Sequence, residues 1–149
     1  MIQMTELSVR DLDVFTDGIE VLLSDRGVTL CYLYGSYARG TMTGLSDLDI
    51  GVVLSSEITR DKYTEIVLNL TSTLSRRLID IDVDVRVLND APVEFRYNVI
   101  ANGHLIFCSD DIIRARFETE TIRVYLDFRP VLDTYYQYMH RRLEETDHL

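Results

Sequence analysis

Two β-rich apolar runs, Val28–Tyr34 and Leu48–Leu54, are joined by the short segment 35–47, and that joint constrains the chain more than any other feature. It opens on Gly35-Ser36, which breaks the first run, and closes on Asp47-Leu48-Asp49 at the mouth of the second. Residues i and i+2 of a strand share a face, so the two carboxylates can bind one hard divalent cation. The backbone and hydroxyl of Gly35-Ser36 can donate hydrogen bonds to phosphate oxygens. A short helical turn over 37–40 and a loop over 41–46 complete the joint. Arg39 follows Ser36 by three residues, placed either to reach a phosphate or to pair with a nearby Asp. Together these residues describe a site for a nucleoside triphosphate and magnesium.

Around the joint, periodicity supplies the other elements. Ser8 with Asp11 resembles a capping box, and Leu12, Phe15, Ile19, Leu22 and Leu23 recur at helical spacing until Gly27 ends the helix. Thr59 is placed to cap a second helix, with Tyr63, Ile66, Val67, Leu70, Leu74 and Leu78 on one face. From 79 to 88 the chain alternates strictly: Ile79, Ile81, Val83, Val85 and Val87 face one way, and Asp80, Asp82, Asp84 and Arg86 the other. Residues 92–102 read as a short helix, His104–Cys108 as a last strand, and about 112–142 as an amphipathic helical extension with a break expected near Pro130. The expected architecture is α/β with α+β character, a mixed β-sheet flanked by helices. All 149 residues form one domain, with no repeat and no Pro/Gly/Ser linker.

Composition narrows the function classes. The formal charge is -10, which repels a phosphate backbone, so no direct nucleic-acid partner is expected. A basic protein partner suits it better. No apolar stretch approaches the roughly 20 residues of a membrane span, and the N-terminus has no signal-peptide pattern, so a cytoplasmic location is expected. Cys31 and Cys108 lack CxxC or His companions and read as reduced core residues rather than a zinc site.

Nucleotidyl transfer asks for a positioned triphosphate, neutralised charge and an activated hydroxyl. Two ions about 3.5–4 Å apart do this, held by about three carboxylates. Asp47 and Asp49 supply two. The third falls on the 79–88 strand, where Asp82 and Asp84 are both candidates, with Asp80 a weaker one near the strand entrance. Ser36 as a nucleophile would need a base, and His104, His140 and His148 offer none nearby.

Gly35-Ser36, ten residues, then Asp47-Leu48-Asp49 resembles the signature of the DNA polymerase β-like nucleotidyltransferase superfamily. The fuller strings starting at Tyr34 and Ser46 resemble its minimal nucleotidyltransferase (MNT) branch, as do the segments from Asp84, Phe95, Gly103 and Tyr125. The resemblance implies the polymerase β-like nucleotidyltransferase fold. It also implies an antitoxin that transfers AMP from ATP to a tyrosine of a cognate HEPN ribonuclease toxin, in a hetero-oligomer. Gly35 and Ser36 would hold the triphosphate, Asp47 and Asp49 the magnesium ions, and Asp84 would be the third carboxylate that helps activate the acceptor. Position 87, three beyond it and often acidic in the family, is Val here. Two other functions stand beside this one: an antitoxin that acts by binding alone, and a small-molecule adenylyltransferase of the aminoglycoside-modifying kind.

Overall fold

A computed structural model describes residues 15–39, 47–78 and 81–146. Its elements are α1 (Ile19–Asp25), β1 (Val28–Tyr34), α2 (Gly35–Arg39), β2 (Leu48–Leu54), a 3-10 turn (Arg60–Lys62), α3 (Tyr63–Ser75), β3 (Val83–Val87), α4 (Val93–Asn102), β4 (His104–Cys108) and α5 (Asp111–Thr146). The strands form one mixed sheet in the order β3-β2-β1-β4. β1 runs antiparallel to both β2 and β4, whereas β2 and β3 are parallel, joined by the crossover through α3.

The two central strands are buried on both faces, which is why they read as near-continuous apolar runs. On one face, Phe15, Ile19 and Leu23 with Leu70 and Leu74 of α3 pack on Cys31, Leu33, Ile50, Val52 and Val85. On the other, Leu30, Tyr32, Val53 and Leu88 meet Val99 of α4, with Phe95 and Phe117 at the margin. Tyr32 Oη donates to Glu118 Oε1 at 2.8 Å, pinning α5 to the sheet. Leu74 has no solvent exposure. Leu74→Ala therefore lowers the unfolding free energy by about 2–5 kcal/mol, read from the shift in urea midpoint.

Several expected boundaries move, each for a tertiary or capping reason. The first helix is not continuous: Gly18, at φ 66°, breaks it, and Arg77 Nη1 donates to the carbonyls of Phe15 and Asp17 at 3.4 and 2.6 Å. Its expected cap at Ser8 and Asp11 lies outside the described residues. Gly27, at φ 74°, does terminate α1, its N–H donating to Ser24 O at 3.0 Å. Thr59 precedes the 3-10 turn without capping it through its side chain, and its hydrogen bond goes to Asp61.

Among the described residues the alternating segment is a strand only over Val83–Val87, because β2 begins at Leu48 and pairs with nothing earlier than Val83. Leu48 N–H donates to Asp82 O at 2.8 Å, the last backbone link before the pairing. Residues 79 and 80 lie outside the described set. The C-terminal helix runs unbroken through Pro130. The carbonyl that proline leaves without its helical donor is that of Leu126, a 53 % exposed residue, so water can take the missing bond. Asp110 caps the helix, its Oδ1 accepting Ile112 N–H at 2.7 Å, and ion pairs such as Arg123–Glu120 and Arg123–Asp127 line its exposed side. Among the described residues, no helix is long and apolar enough to cross a membrane.

Candidate active site

Strand register assembles the site. Tyr34 on β1, Asp49 on β2 and Asp84 on β3 are neighbours across three strands, since Tyr34 pairs with Asp49 and Asp49 with Asp84. Both carboxylates act electrostatically on the Tyr34 hydroxyl, which is buried and has no hydrogen-bond partner. Asp47 is exposed immediately before β2, and Asp82 exposed immediately before β3. The structure therefore brings Asp84, not Asp82, beside Asp49.

Gly35 starts α2 at φ 73°, the left-handed region where a side chain is strained. It also packs against the Asp49 carboxyl: a Cβ there would stand 3.1 Å from Asp49 Cγ and closer still to Oδ2. The glycine turn and the second carboxylate of the Asp-x-Asp pair are thus one packed unit. Ser36 follows on α2, partly exposed. Arg39 ends α2, and its side chain lies outside the described residues. His104 on β4 donates from Nε2 to Ala38 O at 3.0 Å, tethering α2 to the sheet edge away from β2. That tether was not legible in the sequence, where His104 reads as a polar strand-edge residue.

Arg86 lies two residues beyond Asp84 and holds its Oδ2 at 3.2 Å. The Arg86 guanidinium also sits 5.8 Å from the Phe95 ring centroid, and Phe95 packs edge-on against Tyr34 at 5.4 Å and 86°. The Arg86–Asp84 pair is largely solvated, so its contribution is small, about 0–1 kcal/mol, and it yields readily to a stronger ligand. Sequence reasoning left Tyr34 and Phe95 unassigned. The one local signal for Tyr34 was its place directly before the glycine turn.

Burial, and the two aspartates after it, push the Tyr34 phenol up to about 12 from an ordinary value of 10, opposed by Arg86. The folded protein thus keeps this proton where the unfolded chain loses it. The associated stability is whole below about pH 10 and is lost as pH rises toward about 12. Tyr34→Phe removes an unsatisfied buried hydroxyl, so urea unfolding at pH 7 shows equal or greater stability. Between about pH 10 and 12 the variant loses less stability than the natural chain, by on the order of 1 kcal/mol after allowing for partial exposure.

The donors at this edge are carboxylates, the hard-oxygen chemistry that magnesium takes. Among the described residues, no three His, Cys, Asp or Glu side chains converge closely enough to hold an ion in common. Asp49 and Asp84 stand side by side in the register, with Asp84 turned to Arg86.

A mixed sheet that carries aspartates side by side on parallel neighbours, with a glycine turn packed on one of them, fits a nucleotidyltransferase. The family described as Polymerase beta, Nucleotidyltransferase matches residues 18–112. The chain belongs to that family. Among solved structures it is similar to a toxin-antitoxin with AMP-PNP, with 26% identity and a TM-score of 0.59, over 81% of this chain and 98% of that one. It is also similar to a mutant MntA-HpeT toxin-antitoxin, with 26% identity and a TM-score of 0.57, over 80% and 96% of the two chains. A tri-AMPylated Shewanella oneidensis HEPN toxin in complex with MNT antitoxin matches at 23% identity and a TM-score of 0.57, over 83% and 98%, a likeness of fold. No curated protein matches the sequence.

Proposed function

We propose that the chain is an antitoxin adenylyltransferase that moves AMP from ATP onto a tyrosine of a cognate HEPN-type toxin and so inactivates it. The observation that carries this reading is the register pairing of Asp49 with Asp84 beside the Gly35 turn. Family membership and the 26% identity to a toxin-antitoxin solved with AMP-PNP support it.

In this reading Asp47, Asp49 and Asp84 hold magnesium, two ions by the family's chemistry. The magnesium those carboxylates would hold would supply positive charge to offset the negative charge of the triphosphate. Gly35, whose missing side chain leaves room for the Asp49 carboxyl, offers its backbone N–H to the phosphates, and the Ser36 hydroxyl donates to a phosphate oxygen. Arg39 is the candidate for a further phosphate contact. Asp84 accepts the proton of the acceptor hydroxyl, so that its oxygen bonds to the α-phosphorus. The bond from the α-phosphorus to the bridging oxygen breaks, and pyrophosphate leaves.

Two features fit a protein acceptor. A charge of -10 suits a basic nuclease partner, by electrostatic steering. The second half of α5 exposes Val131, Tyr135, Tyr138 and Leu143, each more than half exposed, a density of bare apolar groups typical of an interface. In a cell, the expected setting is a cytoplasmic hetero-oligomer with that toxin.

The test is intact-protein mass spectrometry of the product of the adjacent gene after incubation with this chain, magnesium and ATP. Mass increments of AMP that vanish with Asp47→Ala establish the transfer. An unmodified partner that still co-purifies, and is still neutralised by Asp47→Ala/Asp49→Ala, replaces transfer with inhibition by binding. No adduct and no complex points to a small-molecule acceptor.

A further inference from the structure

A cavity of about 990 Å³ lies away from the aspartate row, where the end of β2 and the start of β1 face α4 and the first turns of α5. Val53, at its base, is four residues along β2 from Asp49, about 13 Å at the usual strand rise. Its walls are mostly apolar, with Ile112, Ile113 and Phe117 on the α5 side. Ile112 and Ile113 are 63 % and 37 % exposed, so the apolar lining runs out to the mouth.

One donor in this wall is unmet. Arg96 of α4 lines the cavity, and its Nε is buried without a hydrogen-bond partner. Glu120, also in the wall, feels the charge of Arg96, but its carboxylate is held by Arg123 at 2.7 and 3.2 Å. Asp111 at the rim faces the Cys108 thiol, 3.7 Å away. Asn89 is spent as well, its side chain bonding both N–H and C=O of Leu54 at 2.8 Å. A buried guanidinium donor left unmet is costly, and it recovers that cost when an anion enters.

We propose that this cavity binds an amphipathic organic anion, its carboxylate, sulfonate or phosphate on Arg96 and its apolar body against Val53, Ile112, Ile113 and Phe117. The site is separate from the triphosphate site, since none of Gly35, Ser36, Asp47, Asp49 or Asp84 lines it. Apolar walls with a few charged donors, here Arg96 and the more exposed Arg116, are the usual composition of a small-molecule pocket. The unmet donor calls for an anionic group, and the apolar wall around it for an apolar body attached to that group.

The experiment is a fluorescence titration of the full chain with 8-anilinonaphthalene-1-sulfonate, an aromatic sulfonate of this chemical class. Expected is saturable binding at one site, displaced by decanoate and not by magnesium-ATP. Arg96→Met keeps the apolar stem and removes the donor; it weakens binding by about tenfold or more, while its urea midpoint does not fall. Ile112→Glu, at an exposed position outside the core, sets a repelling carboxylate at the mouth and weakens both ligands severalfold, so the inference stays testable should Arg96→Met misfold. Unchanged affinity in either folded variant, displacement by magnesium-ATP, or non-saturable binding overturns it.

Discussion

Asp49→Asn lowers AMP transfer by at least about a thousandfold in kcat/KM, about 4 kcal/mol of transition-state stabilisation. The substitution keeps the shape of the side chain and its packing on Gly35, so the loss is electrostatic. Stability moves the other way. Asp49 faces Asp84 in the parallel register, and like charges directly opposite one another are unfavourable. The variant's urea midpoint is therefore equal to or above that of the natural chain. Transfer to the partner protein and urea unfolding are measured on the same preparation. Full activity removes Asp49 from the chemistry; a collapsed midpoint makes it a structural residue. Combining Asp49→Asn with Asp84→Asn costs far less than the sum of the two, because residues that hold one charge act as a unit.

Gly35→Ala has the next largest effect, and Gly18→Ala is its control. Both glycines sit in the left-handed region, at φ 73° and 66°, so each alanine costs about 1–2 kcal/mol in backbone strain. They differ in what the new methyl meets. At Gly18 it meets nothing within 4 Å; at Gly35 it enters the space of the Asp49 carboxyl. Gly35→Ala loses at least as much stability in urea as Gly18→Ala, since the contact with Asp49 adds to the shared backbone strain. Only Gly35→Ala loses activity, by at least about a hundredfold, because the displaced carboxylate leaves its geometry, and misplacement by an ångström is enough for that. Equal activity in the two variants refutes the packed unit of glycine turn and aspartate.

Much of the architecture is legible from local pattern. The apolar runs at 28–34 and 48–54 became the two central strands at the expected bounds, and the helical stripe of Leu70 and Leu74 became the buried face of α3. Failures cluster where another element intervenes. Gly18 breaks the first helix, with Arg77 from beyond α3 taking the carbonyls of Phe15 and Asp17. Among the described residues, the alternating run is a strand only as far as β2 pairs with it. The long C-terminal helix absorbs Pro130 because the orphaned carbonyl faces solvent.

The same division holds for the site. Gly35-Ser36 and Asp47-x-Asp49 are readable in the chain because their relation is short-range: a turn, a strand and a period of two. Periodicity left Asp82 and Asp84 both as candidates and only the family resemblance favoured Asp84, since nothing in one strand says which residue of another will stand beside it. Long-range hydrogen bonding decides that, and the parallel register sets Asp84 against Asp49 while leaving Asp82 outside the strand. By the same means the fold buries the Tyr34 hydroxyl among those carboxylates, ties α2 down through His104, and strands the Arg96 donor in an apolar cavity. The sequence by itself determined which chemistry the chain carries; tertiary pairing decided which groups meet, because register and burial arise only when distant segments pack.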